Sequence, residues 1–166
     1  MNITVEGPDN AGKSTLIKFI ESHFKRSVVH NTVDKDSSSV LAKQAKELSL
    51  EGNLIYDRSA VISEYIYCMV LGRAPVVDFN IHHVGELCDN TVVIFCLPPL
   101  ERVLSTTKEE MPGVVENLHK LYTAYDNMID ELVCQGKSFF VYNFEIDTEE
   151  DVQQYIDERM LKEWKK

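Results

Sequence analysis

The chain has 166 residues, 44% of them apolar and 27% charged, the make-up of a globular domain rather than of a disordered chain. Its 27 acidic residues against 17 basic ones give a net charge of −10, which argues against a general binder of duplex DNA but leaves room for a small anion held in one local basic pocket. No apolar run reaches the roughly 18 residues of a membrane span, and the opening MNITVEGPDN has neither the basic flank nor the apolar stretch of a secretory signal.

In chain order, the first strand-like run is Ile3–Val5, followed by a glycine-bearing loop and a helical stripe of Leu16, Ile17, Phe19, Ile20 and Phe24. A second strand is predicted over Ser27–His30. The polar stretch Asp34 to Ser39 then reads as a loop that ends in a serine cap on a helix over Val40–Leu50. A third strand follows at Leu54–Tyr56 and a fourth at Thr91–Leu97. Val114, Leu118, Leu121, Tyr122, Tyr125, Met128, Ile129 and Leu132 form the longest stripe, a core-facing helix stopped by Gly136. A fifth strand is predicted over Ser138–Tyr142, and Val152, Tyr155, Ile156 and Met160 mark a last helix. Strands alternating with helices indicate a mostly parallel sheet covered on both faces. Ligands of such sheets bind beyond the carboxyl ends of the strands, here from Glu6, Asp57 and Pro98 onward.

Gly7-Pro8-Asp9-Asn10-Ala11-Gly12-Lys13-Ser14 fits the pattern Gly-x4-Gly-Lys-Ser/Thr, with a strand before it and a helix after it. Gly7 and Gly12 let the backbone curl so that successive N–H groups face a phosphate. The helix beginning near Lys13 adds partial positive charge at the same spot. Lys13 can reach the β- and γ-phosphates, and the Ser14 hydroxyl can ligate magnesium. The motif therefore predicts a nucleoside triphosphate site.

Residues downstream of the loop narrow the class of triphosphate protein. No Asn-Lys-x-Asp guanine clamp is present, and the third strand ends in Asp57-Arg58-Ser59 rather than in paired acids. An acid followed at once by arginine suits phosphoryl transfer to an anionic acceptor. Asp57 can hold magnesium-bound water or a reacting hydroxyl, and Arg58 can clamp phosphate oxygens in a fork.

Glu6-Gly7-Pro8-Asp9-Asn10-Ala11-Gly12-Lys13-Ser14-Thr15, then Asp57-Arg58-Ser59, then Ser63-Glu64-Tyr65, resemble the thymidylate kinase family. More broadly they are similar to the P-loop deoxynucleotide and deoxynucleoside kinases, including compact versions encoded by viruses of bacteria. The resemblance implies an α/β fold of the P-loop nucleoside-monophosphate-kinase type, one domain over residues 1–166. Its sheet would have five parallel strands in the order 2-3-1-4-5, with helices on both faces and Asp57 beside the phosphate loop. It implies ATP as donor, bound by Gly7, Asn10, Ala11, Gly12, Lys13, Ser14 and Thr15, and Mg2+ at Ser14 and Asp57, partly through water. It places Asp9 on the acceptor sugar's 3′-hydroxyl, Arg58 on transferring or acceptor phosphate, and Ser63, Tyr65 and Tyr67 around the acceptor base.

The chain also departs from the family pattern. The segment between the second strand and Gly52 is shorter than the family's usual insert, and Asp-Arg-Ser replaces Asp-Arg-Tyr or Asp-Arg-Phe. The expected lid, residues 105–113 (STTKEEMPG), has Lys108 as its one cation, beside Glu109 and Glu110. Asn10 stands where some members have a loop arginine. Arg102 and Arg73 are the other candidate cations for the transferring phosphoryl group, and Arg73 is also expected among the acceptor-binding residues.

The remaining polar residues carry less. Cys68, Cys88, Cys96 and Cys134 show no Cys-x-x-Cys spacing and are expected as buried free thiols in a reducing, cytoplasmic compartment. His82 and His83 are adjacent and so point apart, unlike an i, i+4 metal pair. The basic cluster Lys162–Lys166 with Trp164 reads as a helix end with a favourable dipole contact. The leading functional expectation is transfer of the γ-phosphoryl of MgATP to a deoxynucleoside monophosphate, dTMP-like under the resemblance. A kinase acting on a hydroxyl, of a deoxynucleoside or of a base or end in DNA, is the alternative, and a nucleotide-binding module without turnover is a third. The expected partners are ATP and a nucleotide acceptor, with no membrane and no duplex DNA; a homodimer stays open.

Overall fold

In the computed structural model, residues 1–32, 36–49, 52–105 and 115–163 are described. Five strands, β1 (Ile3–Glu6), β2 (Ser27–His30), β3 (Leu54–Asp57), β4 (Val92–Cys96) and β5 (Phe140–Tyr142), form one sheet in the order β2-β3-β1-β4-β5, all parallel. The helices are α1 (Lys13–Phe24), α2 (Ser37–Glu47), α3 (Ala60–Leu71), α4 (Ile81–Asn90), α5 (Leu100–Leu104), α6 (Leu118–Cys134) and α7 (Glu149–Glu163). The predicted strand order and the helical cover are both present. No helix among the described residues is long and apolar enough to cross a membrane.

Side-chain alternation divides the core into two layers. Ile3 and Val5 of β1, with Val92, Ile94 and Cys96 of β4, pack against α1 and α7 through Leu16, Ile20, Val152 and Ile156. Val93 and Phe95 point the other way, into the layer formed by α3, α4 and α6, where Leu121, Tyr125, Met128 and Leu132 carry the predicted stripe. On β1 the residues facing that second layer are Thr4 and Glu6, both fully buried. A buried strand thus sends one polar hydroxyl and one carboxylate into an apolar layer, where both must find partners.

Several boundaries differ from expectation. α2 starts at Ser37 and ends at Glu47, and its cap is Asp36, whose carboxylate accepts from the Ser39 N–H at 3.0 Å. The cap is thus an aspartate, which satisfies the first-turn donors as a serine hydroxyl would; Leu50 lies outside the described residues. β1 and β3 each run one residue further than predicted, so Glu6 and Asp57 are the last strand residues. β5 begins two residues later than Ser138, at Phe140. Gly136 ends α6 as expected, at φ 67°, with the Lys137 N–H returning to the Leu132 carbonyl at 3.0 Å. All four thiols are free, but only Cys88 and Cys96 are buried; Cys68 is half-buried and Cys134 exposed, because it sits on the outer side of α6. His83 caps α4 with Asn80.

Candidate active site

The phosphate loop joins the end of β1 to the start of α1. Gly7 (φ 143°) and Gly12 (φ 86°) both lie in the left-handed half of backbone space. A Cβ on Gly7 would overlap the Cys96 carbonyl oxygen, and one on Gly12 would come within 2.9 Å of the Phe144 ring. Glycine is therefore required by contact as well as by dihedral. The Ala11 side chain is fully buried in the α1/α7 layer, so Ala11 serves the loop through its backbone. Lys13 is buried, and its Nζ donates to the Pro8 carbonyl at 2.5 Å. Burial, and then the nearby Arg58 charge, pull its ammonium below the ordinary lysine value. Asn10, Gly12, Lys13, Ser14, Thr15, Asp57 and Arg58 line one open cavity of about 280 Å³ over the loop.

Asp57 closes β3 next to that cavity, and its Oδ2 lies 2.8 Å from His30 Nδ1. His30 is a site neighbour that no sequence motif marks. Its one signal is the strand order, because adjacent parallel strands β2 and β3 put His30 and Asp57 in register. Ser14 and Asp57 offer a hydroxyl and a carboxylate to the same cavity, the hard oxygen donors that magnesium takes alongside phosphate oxygens. Among the described residues no group of three or more His, Cys, Asp or Glu side chains could hold a metal.

Arg58 is the hub. It has a left-handed backbone (φ 72°), pinned by its N–H to the Val5 carbonyl at 3.0 Å and by Asn31 Nδ2, which donates to its carbonyl at 2.8 Å. One guanidinium nitrogen donates to the Gly7 carbonyl at 3.0 Å and to the Tyr67 hydroxyl at 2.8 Å, and lies 3.6 Å from Glu6; the other pairs with Asp9. Burial works against its charge, but Tyr67, Glu6, Tyr125 and Asp9 more than offset it and hold the guanidinium firmly protonated. Tyr67, pushed up to about 12 by its burial, stays a neutral phenol. Asp9 is buried, with one carboxylate oxygen on Arg58 and the other without a partner among the described residues.

Beneath Arg58 sits Glu6, a residue of the motif to which the sequence alone assigns no role. Its carboxylate accepts from the Gly7 N–H (2.9 Å), the Ser59 N–H (2.8 Å), Ser63 Oγ (3.2 Å) and the Tyr125 hydroxyl (3.1 Å). It ties the phosphate loop, the start of α3 and α6 to one buried charge.

A second cavity, of about 480 Å³, opens between α2, α3 and residues 72–76. Of the expected acceptor residues, Arg58, Ser63, Tyr67 and Arg73 line it. Asp9 and Tyr65 do not: Asp9 is turned onto Arg58, and Tyr65 borders a separate cavity of about 210 Å³ with Met69 and Phe79, because on α3 it faces away from Ser63. Lys43 and Glu64 also line the larger cavity, neither with a role expected from sequence, and Glu64 accepts from the Val76 N–H. Arg58 lines both the cavity over the loop and this one. Arg102 lines neither; it is exposed on α5, 3.6 Å from Glu145. Lys108 and most of the expected lid lie outside the described residues.

The sheet order, the loop and the helical cover define a P-loop kinase fold of the nucleoside-monophosphate-kinase type. Solved structures with this fold include the YorR protein of Bacillus subtilis in complex with phosphorylated GDP, at 13% identity and a TM-score of 0.70, covering 99% of this chain and 97% of that one. The deoxyadenosine kinase of M. mycoides with bound dCTP is 19% identical with a TM-score of 0.59, over 95% of this chain and 98% of that one. Shikimate kinase from Acinetobacter baumannii, in complex with shikimate, is 15% identical with a TM-score of 0.51, over 98% and 93%. No protein-family model matches the chain, and no curated protein does.

Proposed function

We propose that this chain is a phosphotransferase that moves the γ-phosphoryl of MgATP to a deoxynucleoside monophosphate held in the larger cavity. The observation that carries this reading is the charge of that cavity. Among the described residues its lining has three cations, Lys43, Arg58 and Arg73, against one acid, Glu64, in a chain whose net charge is −10. Local positive charge against the global balance marks a place for an anion. Arg58 borders both cavities, which puts a guanidinium where a transferring phosphoryl group would pass between them.

These positions support the following roles. The loop backbone and Lys13 hold the donor's phosphates, with Lys13 leaving the Pro8 carbonyl to do so. Ser14 and Asp57 would hold magnesium, which when bound neutralises phosphate charge. Asp9 fixes Arg58, and its buried second oxygen would have to be uncovered to meet an acceptor hydroxyl. Positioning and charge neutralisation suffice, with no covalent intermediate.

A second reading has its own support: Arg58 is already engaged by Asp9, Glu6, Tyr67 and the Gly7 carbonyl, an arrangement that suits an uncharged acceptor hydroxyl. The test is a screen of the common nucleosides and their monophosphates with MgATP, read by product mass. Diphosphate products from monophosphates alone support the proposal, and monophosphate products from nucleosides support the second reading. Tight ATP binding with no product from any acceptor leaves a nucleotide-binding module.

A further inference from the structure

A second buried carboxyl lies outside the two cavities, behind the turn that carries Arg58. Glu47, the last residue of α2, is fully buried under β1 and the start of α3. Thr4 Oγ1 lies 2.8 Å from its Oε1, and Ser59 Oγ 3.1 Å from its Oε2. Its backbone is held as well, because the Asn2 side chain donates to its carbonyl at 2.9 Å. Ser59 gives its own N–H to Glu6 and takes the N–H groups of Val61 and Ile62 on its hydroxyl. One residue, adjacent to Arg58, thus bridges two buried carboxyls.

The two carboxyls differ in their compensation. Glu6 has Arg58 at 3.6 Å, whereas among the described residues no cation lies within ion-pair distance of Glu47. A buried carboxyl without a cation keeps its proton rather than its charge. A hydroxyl can donate or accept, so Thr4 and Ser59 can serve the neutral acid.

We infer that Glu47 is a positioning residue for the Arg58-Ser59 turn: its protonated carboxyl holds Ser59 in place, and loss of that proton sets a second buried negative charge against Glu6 and shifts the turn on the phosphate loop. The groups facing Glu47 are Thr4 and Glu6 from β1, Tyr56 from β3, and Ser59 with the Ala60 N–H from the start of α3. Of these, Glu6 and Tyr56 are titratable. Burial pushes the Glu47 carboxyl up to about 8, with Glu6 adding to the rise and the hydroxyls and the Ala60 N–H opposing it. Burial and Glu47 together raise the Tyr56 phenol above its ordinary value, which keeps it neutral across the same range.

The consequence for turnover rests on the phosphoryl-transfer reading; the consequence for the turn does not. The experiment follows the Glu47 carboxyl carbon and the Arg58 guanidinium signals of the whole protein by NMR over about pH 6 to about pH 10, in the wild type and in Glu47→Gln, whose amide mimics the neutral acid. The Glu47 carbon is expected to titrate with a midpoint near 8, and the Arg58 signals to move with the same midpoint. In Glu47→Gln the Arg58 signals should keep their low-pH positions throughout. Arg58 signals indifferent to the Glu47 titration, or a Glu47 carboxyl that titrates below about pH 6, would overturn the inference. The wild-type signals decide this even if the variant does not fold. On a phosphorylated acceptor, kcat should fall about tenfold between about pH 7 and about pH 9 in the wild type and by less than about twofold in Glu47→Gln. An alkaline limb retained in the variant also counts against the inference. If no acceptor is phosphorylated at any pH, the phosphoryl-transfer reading fails, while the NMR signals still judge Glu47.

Discussion

Glu6→Gln is a small change in volume with a large expected cost. The wild-type carboxylate takes four donors, two backbone N–H groups and two hydroxyls, and balances the Arg58 charge at 3.6 Å. An amide keeps one acceptor oxygen and turns the other position into an N–H2 group that faces donors. If the oxygen stays with Gly7 and Tyr125, the Ser59 N–H loses its acceptor; if it turns to Ser59, the Gly7 N–H does. Leaving one buried donor unmet costs about 1–3 kcal/mol. Removing one partner of a buried ion pair costs about 3–5 kcal/mol, here lessened because Arg58 keeps Asp9. The expected loss is therefore about 3–4 kcal/mol, or roughly 6–16 °C in Tm for a chain of this size. Urea unfolding at neutral pH, with the slope m checked for constancy, measures it. A companion cycle with Arg58→Met should show that the two losses do not add, because part of the cost of Glu6→Gln is the charge that it leaves behind. A loss under about 1 kcal/mol would refute the view of Glu6 as the buried anchor of loop and turn.

Lys13→Ala should lower phosphoryl transfer by about a hundredfold or more while changing stability by no more than about 1 kcal/mol, since a buried ammonium below its ordinary value contributes little to the fold; turnover and melting measured on one preparation check both. Asp57→Asn should lower kcat with little change in the acceptor KM, whereas Arg58→Ala should damage both, and steady-state kinetics with a monophosphate acceptor separates the two patterns. Stability should also depend on pH through Glu47. Its proton is bound in the fold up to about 8 and released by the unfolded chain from 4.5 upward. The contribution is therefore full below 4.5, falls as pH rises toward about 8 by at most ~1.4 kcal/mol per pH unit, and levels above that; urea midpoints across this range should show the slope in the wild type and not in Glu47→Gln.

Much of the fold is legible in the sequence because its signals are local. Apolar runs mark the five strands, stripes of period 3.6 mark α1, α6 and α7, and the spacing of Gly7, Gly12, Lys13 and Ser14 marks the loop without any knowledge of contacts, whereas α3 and α4 are not marked by such stripes. The family resemblance carries the strand order and, with it, Asp57 beside the loop. What stays hidden depends on residues far apart in sequence. Thr4 and Glu6 carry no local mark of the partners that they find once α3 and α6 cover that face. Glu47 looks like a solvated helix end, until Thr4 and Ser59 close over it from 43 and 12 residues away. His30 and Lys43 become visible only once β2 and α2 have places beside β3 and α3. Asp36 does not stand out as a cap because the serines beside it carry the same preference.

The burial of Ala11 has a consequence in time rather than in space. Its methyl group sits in the same layer as Leu16, Ile20, Val92 and Ile156, so the phosphate loop is fastened to the interior at its midpoint. A loop secured only at its ends can open by itself, many times for each unfolding of the domain. This one must withdraw a side chain from packed surroundings before it can change shape. Its curvature is accordingly held by the same packed layer that holds β1 and β4.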